Sequence, residues 1–246
     1  MENKNIVAIV QARMGSQRLP GKVLLPIGNK PVLAWVLSRL SHCRLINKII
    51  VATSVNSIDD SIRKLCLDFN VTCFSGPEED VLERFYMAAV ETKADVIIRI
   101  TADCPFIDPE IVDGLIATHL KNSNQYTAND TVKSYPRGVD AEVINFGTLE
   151  YLMKKAKQQY YREHVTSYIY EHPEEFKTEI VRGKQYYENG FILRLCVDEM
   201  DDLVLLKRIY DFFSPREDFN LREIVDYLAA NPGLIKINEN VKQKTR

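Results

Sequence analysis

"IVAIVQARMGSQRLPGKVLLPIGNKPVLAWVLSRL", residues 6–40, reads in order as a strand, a long loop and a helix. The run at 6–10 is apolar and rich in β-branched residues, the composition of a buried strand. Val32, Trp35, Val36 and Leu40 then recur at the spacing of one helix face. The same alternation repeats downstream. Strand-like runs stand at 48–53, 71–75 and 96–101. Between them lie two helical stripes, Ile58, Ile62, Leu65 and Phe69, then Val81, Leu82, Phe85 and Ala89. Strands alternating with helices imply right-handed βαβ units and a parallel sheet covered on both faces. The expected fold is therefore α/β: a Rossmann-like, mostly parallel central sheet with helices on both faces. Loops after the C-terminal ends of such strands line one rim, and ligands bind there.

The second half is less regular. "YPRGVDAEVINF" mixes a turn with an extended run, while "EFKTEIVR" and "GFILRLCVD" read as strands. Helical patterns follow at 203–213 and 221–230. No linker, low-complexity tract or repeat divides the chain. It is read as one domain, 1–246, in which roughly 125–195 forms a small arm.

With 32 basic and 34 acidic residues the net charge is −2, which argues against nucleic-acid binding through a global positive field. Anions must be met by local clusters. The five cysteines are scattered and form no Cys-x-x-Cys pair, which disfavours a zinc site or disulfide framework and suits reduced thiols in a cytoplasmic protein. The apolar run at the N-terminus is too short for a signal peptide. No segment approaches the ~20 apolar residues of a membrane span.

The loop after residue 10 carries Arg13, Arg18 and Lys22 with Gly15 and Gly21, yet it matches neither G-x-x-x-x-G-K-[ST] nor G-x-G-x-x-G. Two guanidinium forks and one mobile ammonium suit a triphosphate whose charge must be neutralised as pyrophosphate leaves. On composition alone it reads equally as a solvated basic loop with two turn glycines. Asp103 follows the strand-like "VIIRIT" and falls on the rim. Asp108-Pro109-Glu110 already supplies the cap of the next helix, so Asp103 has no structural duty and is a candidate metal ligand. Asp198 ends a later strand-like run and is a second candidate, or the cap of the following helix; Asp202 reads as a solvated helix residue.

Other candidates carry open alternatives. Arg137, Asp140 and Glu142 suit sugar hydroxyls and an anionic group, or form a turn with a solvated acidic edge. His164, beside Arg162 and Glu163, suits proton transfer, or is a satisfied half-buried histidine. Ser75-Gly76-Pro77 is a ligand element or a turn. Arg99, odd within an apolar run, needs a phosphate or an internal carboxylate. The tyrosines of "QQYYREHVTSYIYEHP" read as packing or a subunit contact. His42, His119 and His172 are expected at the surface.

The quoted stretch also closely resembles the N-terminal signature of sugar-activating cytidylyltransferases, and within them the spore coat polysaccharide biosynthesis protein F group. "FSGPEEDVLERFY", "IIRITADCPFIDPEIVD", "YPRGVDAEVI", "REHVTSYIY" and "LRLCVDEMDDLVLLKRI" fall in that group's order and spacing, so the resemblance runs from Val7 to about Tyr210. One departure is clear. The family usually reads Val-Asp-Thr-Pro-Glu-Asp where this chain has Glu199 and Met200 after Asp198.

The resemblance implies a nucleotide-diphospho-sugar transferase (GT-A-like) fold and a Mg2+-dependent enzyme coupling CTP to a sugar or sugar acid. It implies nucleotide contacts at Gln11, Ala12, Arg13, Gly15, Arg18, Lys22, Ser75, Gly76 and Thr101. It implies sugar contacts at Arg84, Arg137, Asp140, Glu142, Arg162 and His164, with Asp103 and Asp198 as metal ligands. By the same analogy the second-half arm dimerises, giving a homodimer. The rivals are a glycosyltransferase, disfavoured because "TADCP" holds one Asp rather than Asp-x-Asp, and a non-catalytic nucleotide-binding protein.

Overall fold

The computed structural model describes residues 4–129, 134–183 and 193–243. The first half runs β1 (Ile6–Gln11), a short hairpin of β2 (Pro26–Ile27) and β3 (Lys30–Pro31), α1 (Val32–Leu40), β4 (Lys48–Ser54), α2 (Asp60–Asp68), β5 (Thr72–Gly76), α3 (Val81–Thr92), β6 (Val96–Thr101) and α4 (Pro109–Asn122). The second half adds β7 (Tyr126–Asn129), β8 (Glu142–Asn145), α5 (Phe146–Lys155), α6 (Gln159–Glu163), α7 (Ser167–Glu171), β9 (Thr178–Val181), α8 (Met200–Phe213), α9 (Leu221–Ala230) and α10 (Pro232–Ile235). Among the described residues the main sheet has the order β5-β4-β1-β6-β8-β7-β9. β5, β4, β1 and β6 pair in parallel, and β8 runs antiparallel to β6 and β7. The sheet is thus mostly parallel. Gln11 and Thr101 stand in register where β1 and β6 end together at the rim.

The alternation of side chains along β1 explains why both faces are covered. Val7 and Ile9 pack with Leu82 and Phe85 of α3 and Leu149 of α5. Ala8 and Val10 pack on the other face with Trp35 of α1, Leu115 of α4, Leu206 of α8 and Ile224 of α9. Each fully buried Val, Ile, Leu or Phe stabilises by ~1.5–3 kcal/mol, so the layers hold the rim rigid while the loops stand free to bind. Asp108 caps α4 by accepting from the Glu110 N–H at 2.9 Å, and it also accepts from the Leu221 N–H at 2.8 Å. One carboxylate starts two helices. No helix among the described residues is long and apolar enough to cross a membrane.

Four local expectations change. Ile58 and Phe69 lie outside α2 and are exposed, leaving Ile62 and Leu65 to face the core. Residues 190–192 of "GFILRLCVD" lie outside the described residues, and 193–197 makes an isolated parallel bridge, Arg194 with Arg137, rather than a strand. Its hydrogen bonds are divided: Leu195 N–H donates to the Arg137 carbonyl (2.6 Å), Val197 N–H to that of Asp103 (2.8 Å). The described part of 125–195 supplies β7, β8 and β9 to the sheet and α5, α6 and α7 to one face. His119 is buried, not at the surface, with its ring nitrogens against Thr127 Oγ1 (3.1 Å) and Asn145 Oδ1 (3.0 Å).

Burial holds the His119 pKa below its ordinary value, against the Asn145 hydrogen bond that favours the charged form. Below about pH 6.5 the unfolded chain therefore binds more protons than the native one, and stability falls with pH. Urea unfolding between pH 7 and pH 5 is expected to show a smaller loss for His119→Gln than for the parent. Equal slopes would remove His119 as the cause.

Candidate active site

The loop after β1 folds on itself before it can meet a ligand. The Met14 carbonyl accepts from the N–H groups of Ser16 (2.8 Å) and Gly21 (3.0 Å). Gly21 has φ 69°, a left-handed conformation that glycine adopts without steric cost. Gly15 has no such need: a Cβ there would only touch Glu78 Oε1 at 3.4 Å. Beneath the loop lies Asp59, unremarked in the sequence and 1% exposed. It accepts from Met14 N–H (2.7 Å), Thr53 Oγ1–H (3.0 Å), Ser54 N–H (3.1 Å) and Ser54 Oγ–H (2.5 Å). Burial opposes its charge, but these donors outweigh that and hold its pKa below the usual carboxylate range. The signal available in the sequence was "TSVNSIDD", residues 53–60, which runs from the end of β4 into the next turn and also reads as an ordinary loop.

This folding delivers Lys22, on a single turn of 3-10 helix (Lys22–Leu24), into a crevice. Its Nζ donates to Asp103 Oδ2 at 2.6 Å and to Asp198 Oδ1 at 2.7 Å. Arg18 reaches Asp198 Oδ2 at 2.9 Å and Glu199 Oε1 at 3.1 Å, and Arg194 also pairs with Asp198. Burial works against the Lys22 charge, yet Asp103 and Asp198 hold its pKa above the ordinary value. Burial likewise opposes ionisation of Asp198, and Lys22, Arg18 and Arg194 reverse it, leaving the pKa lowered. Lys22 and Asp198 are therefore both charged in the neutral range.

Asp198 does not cap α8. Glu199 and Asp202 form the capping box, and Asp202 Oδ2 accepts from the N–H groups of Asp198 and Glu199. Asp202 is 0% exposed and salt-bridged to Arg194 at 3.0 Å, so the expected solvated residue is a buried support. Because Glu199 caps, the missing family threonine costs the helix no cap.

A cavity of ≈ 280 Å³ opens over this cluster. Gln11, Arg13, Arg18, Lys22, Thr101, Asp103 and Asp198 all line it, as do Ser16, Gln17 and Glu163. Ala12 and Gly15 belong to the same loop but do not line the cavity. Ser75 and Gly76 lie on β5, with β4 between them and β1, and Ser75 Oγ accepts from Arg63 at 3.2 Å.

The sugar-side candidates are placed differently. Arg84 is fully buried, donates to the Pro77 carbonyl at 2.7 Å, and leaves its Nε and one terminal nitrogen unpaired. That burial lowers its pKa to about 10. Arg137 pairs with Asp140 at 3.0 Å. Glu142 is buried and pairs with Arg99 while accepting from the hydroxyls of Tyr126 (2.8 Å), Thr166 (3.0 Å) and Tyr170 (3.0 Å). Arg99 thus has its internal carboxylate. Arg162 pairs with Asp80 through Nε at 2.7 Å, and the His164 ring packs against Tyr160 with centroids 4.9 Å apart. None of these six residues lines the cavity.

Gly138 decides how Asp198 arrives. At φ 101° a Cβ would lie 2.3 Å from the Leu195 carbonyl carbon and 2.5 Å from the Cys196 nitrogen. Backbone cannot yield as a side chain can. Gly138→Ala is expected to cost at least ~1–3 kcal/mol from the conformation alone, with further loss from the clash. Denaturant unfolding measures it; a change under ~0.5 kcal/mol would contradict the close approach.

The cytidylyltransferase family model matches residues 7–226. The chain is 40% identical over 240 residues to an uncharacterized protein of Methanocaldococcus jannaschii, MJ1063, covering 98% of this chain and 97% of that one. It is 34% identical over 233 residues to the spore coat polysaccharide biosynthesis protein SpsF of Bacillus subtilis, covering 93% and 95%. A cytidylyltransferase structure from Leptospira borgpetersenii aligns with a TM-score of 0.90 at 29% identity, covering 99% and 100% of the two chains.

Proposed function

The chain belongs to the cytidylyltransferase family, and from that premise we propose that it couples CTP to a sugar or sugar acid, releasing pyrophosphate and giving a CMP-activated sugar for polysaccharide synthesis. The observation that carries this reading is the convergence of Lys22, Arg18, Asp103 and Asp198 on one crevice at the end of β1 and β6. Arg13, Arg18 and Lys22 bind the triphosphate and stabilise the departing pyrophosphate by charge-assisted hydrogen bonds. A hydroxyl of the acceptor attacks the α-phosphorus in line, so the protein's contribution is orientation and charge, and no covalent enzyme intermediate forms.

The donor set also fits Mg2+. Two hard carboxylate oxygens lie within 2.7 Å of one ammonium nitrogen, so they already converge on a single positive centre. Asp103 and Asp198 would hold the metal, which when bound neutralises phosphate charge and polarises phosphorus. Lys22 would then turn from the carboxylates to the phosphates. A homodimer in the cytoplasm completes the proposal; sedimentation equilibrium checks the dimer.

The test is pyrophosphate release by the purified chain with each of four nucleoside triphosphates, Mg2+ and a broad panel of sugars and sugar acids. Release with CTP and one acceptor class is expected. Background rates with every pairing would sink the enzyme reading.

A further inference from the structure

The backbone ladder between β1 and β4 ends at Ala12, and a side chain supplies the next rung. Ala12 N–H donates to the Ala52 carbonyl at 3.2 Å. In a parallel pair the following bond lies two residues on, and would join Met14 N–H to the Ser54 carbonyl. That carbonyl instead accepts from Arg63 Nη1 at 2.7 Å, and Val55 N–H turns away to the Gly76 carbonyl at 3.0 Å. Met14 N–H goes to Asp59 Oδ1 at 2.7 Å, while Asp59 Oδ2 accepts from Ser54 N–H at 3.1 Å and from the hydroxyls of Thr53 and Ser54. One carboxylate oxygen grips the end of β4, and the other grips the start of the loop. Asp59 is 1% exposed and does not line the cavity, so it acts without touching a ligand.

We propose that Asp59 is a positioning residue for nucleoside triphosphate binding, which sets Arg13 and Lys22 through the backbone of Met14. This rests on the cytidylyltransferase reading of the same cavity and deepens it. Met14 follows Arg13 directly, and its carbonyl receives at 3.0 Å the N–H of Gly21, which directly precedes Lys22. Both cations line the cavity, and each stands beside a hydrogen bond of the residue that Asp59 anchors. The Arg13 side chain is otherwise loosely held, 40% exposed with Glu78 4.0 Å away. Charge-assisted bonds to phosphate oxygens are short and directional, so a cation displaced with its loop loses them steeply. Asparagine at position 59 disturbs this anchor while keeping its shape. An amide has one acceptor oxygen, so it cannot take Met14 N–H at one end and Ser54 N–H at the other.

The experiment is calorimetric titration of the full chain with CTP and with CMP, each with Mg2+, for the parent and for Asp59→Asn. CMP lacks the β- and γ-phosphates assigned to the loop cations, so a general loosening of the fold would weaken both ligands alike. Asp59→Asn is expected to lower CTP affinity at least ~10-fold, a difference of ~1.4 kcal/mol, and to leave CMP affinity within about threefold. Equal losses for the two ligands, or a CTP affinity within about threefold of the parent, overturn the proposal. Amide hydrogen exchange of the parent gives a measurement that does not depend on the variant folding. Met14 N–H, although in a loop, is expected to exchange at least ~10²-fold more slowly than in an unstructured peptide. Exchange at the peptide rate overturns the role given to Asp59 while CTP still binds. A parent that binds no CTP overturns the cytidylyltransferase reading itself, and the proposal with it.

Discussion

Replacing Lys22 by alanine is expected to lower cytidylyl transfer roughly 10²–10³-fold, the usual effect of deleting one preorganised donor aimed at developing charge. Two duties end together. The ammonium that balances Asp103 and Asp198 is lost, and so is a cation for the leaving pyrophosphate. Stability should fall as well, because removing one partner of a buried ion pair costs about 3–5 kcal/mol. The side chains of Lys22, Asp103 and Asp198 are 11%, 22% and 16% exposed, so partial solvent access places the loss at or below the low end of that range.

The pH dependence has a definite sign. The native pKa of Asp198 is lowered, so its contribution is present above the unfolded value of about 3.9 and fades as pH falls through the native one. Lys22 causes much of that lowering. The stability gap between parent and Lys22→Ala should therefore narrow below about pH 4. Turnover within threefold of the parent, or a gap independent of pH, would contradict the geometry.

Asp103→Asn is the cleaner test of the metal. The backbone carbonyl of Asp103, not its side chain, receives the Val197 N–H, so the fold keeps that link when the carboxylate becomes an amide. Expected turnover is lower by roughly 10²–10⁴, matching loss of several kcal/mol of charge stabilisation. Half-saturation by Mg2+ should move to higher concentration, and direct Mn2+ binding with CTP present should weaken in parallel. Asp198→Asn would confuse chemistry with folding, because Asp198 is also gripped by Arg18 and Arg194. Unchanged activity and metal affinity in Asp103→Asn would withdraw Asp103 from the site.

Local signals were legible where the physics is local. The strand-loop-helix order of 6–40, the Asp108-Pro109 cap and the α8 and α9 patterns depend on neighbours within a turn or a pleat. The quoted family motifs carried the fold and the family. Side-chain partners were not legible, because they lie far apart in sequence. Asp202 looked solvated until its carboxylate met Arg194, and His119 looked free until β7 and β8 closed over it. Arg162 and Glu142 had chemistry suited to a sugar, but Asp80 and Arg99 took them first.

The sequence by itself therefore determined the layered α/β sheet, the rim on which the loop sits, and the stock of cations and carboxylates available there. Only the tertiary structure decided which of them meet. Lys22 is 81 residues from Asp103 and 176 from Asp198. The sequence pattern puts Asp103 just beyond a strand-like run and Lys22 in the loop after β1, but the distances among the three groups follow from sheet order and from the close backbone approach at Gly138.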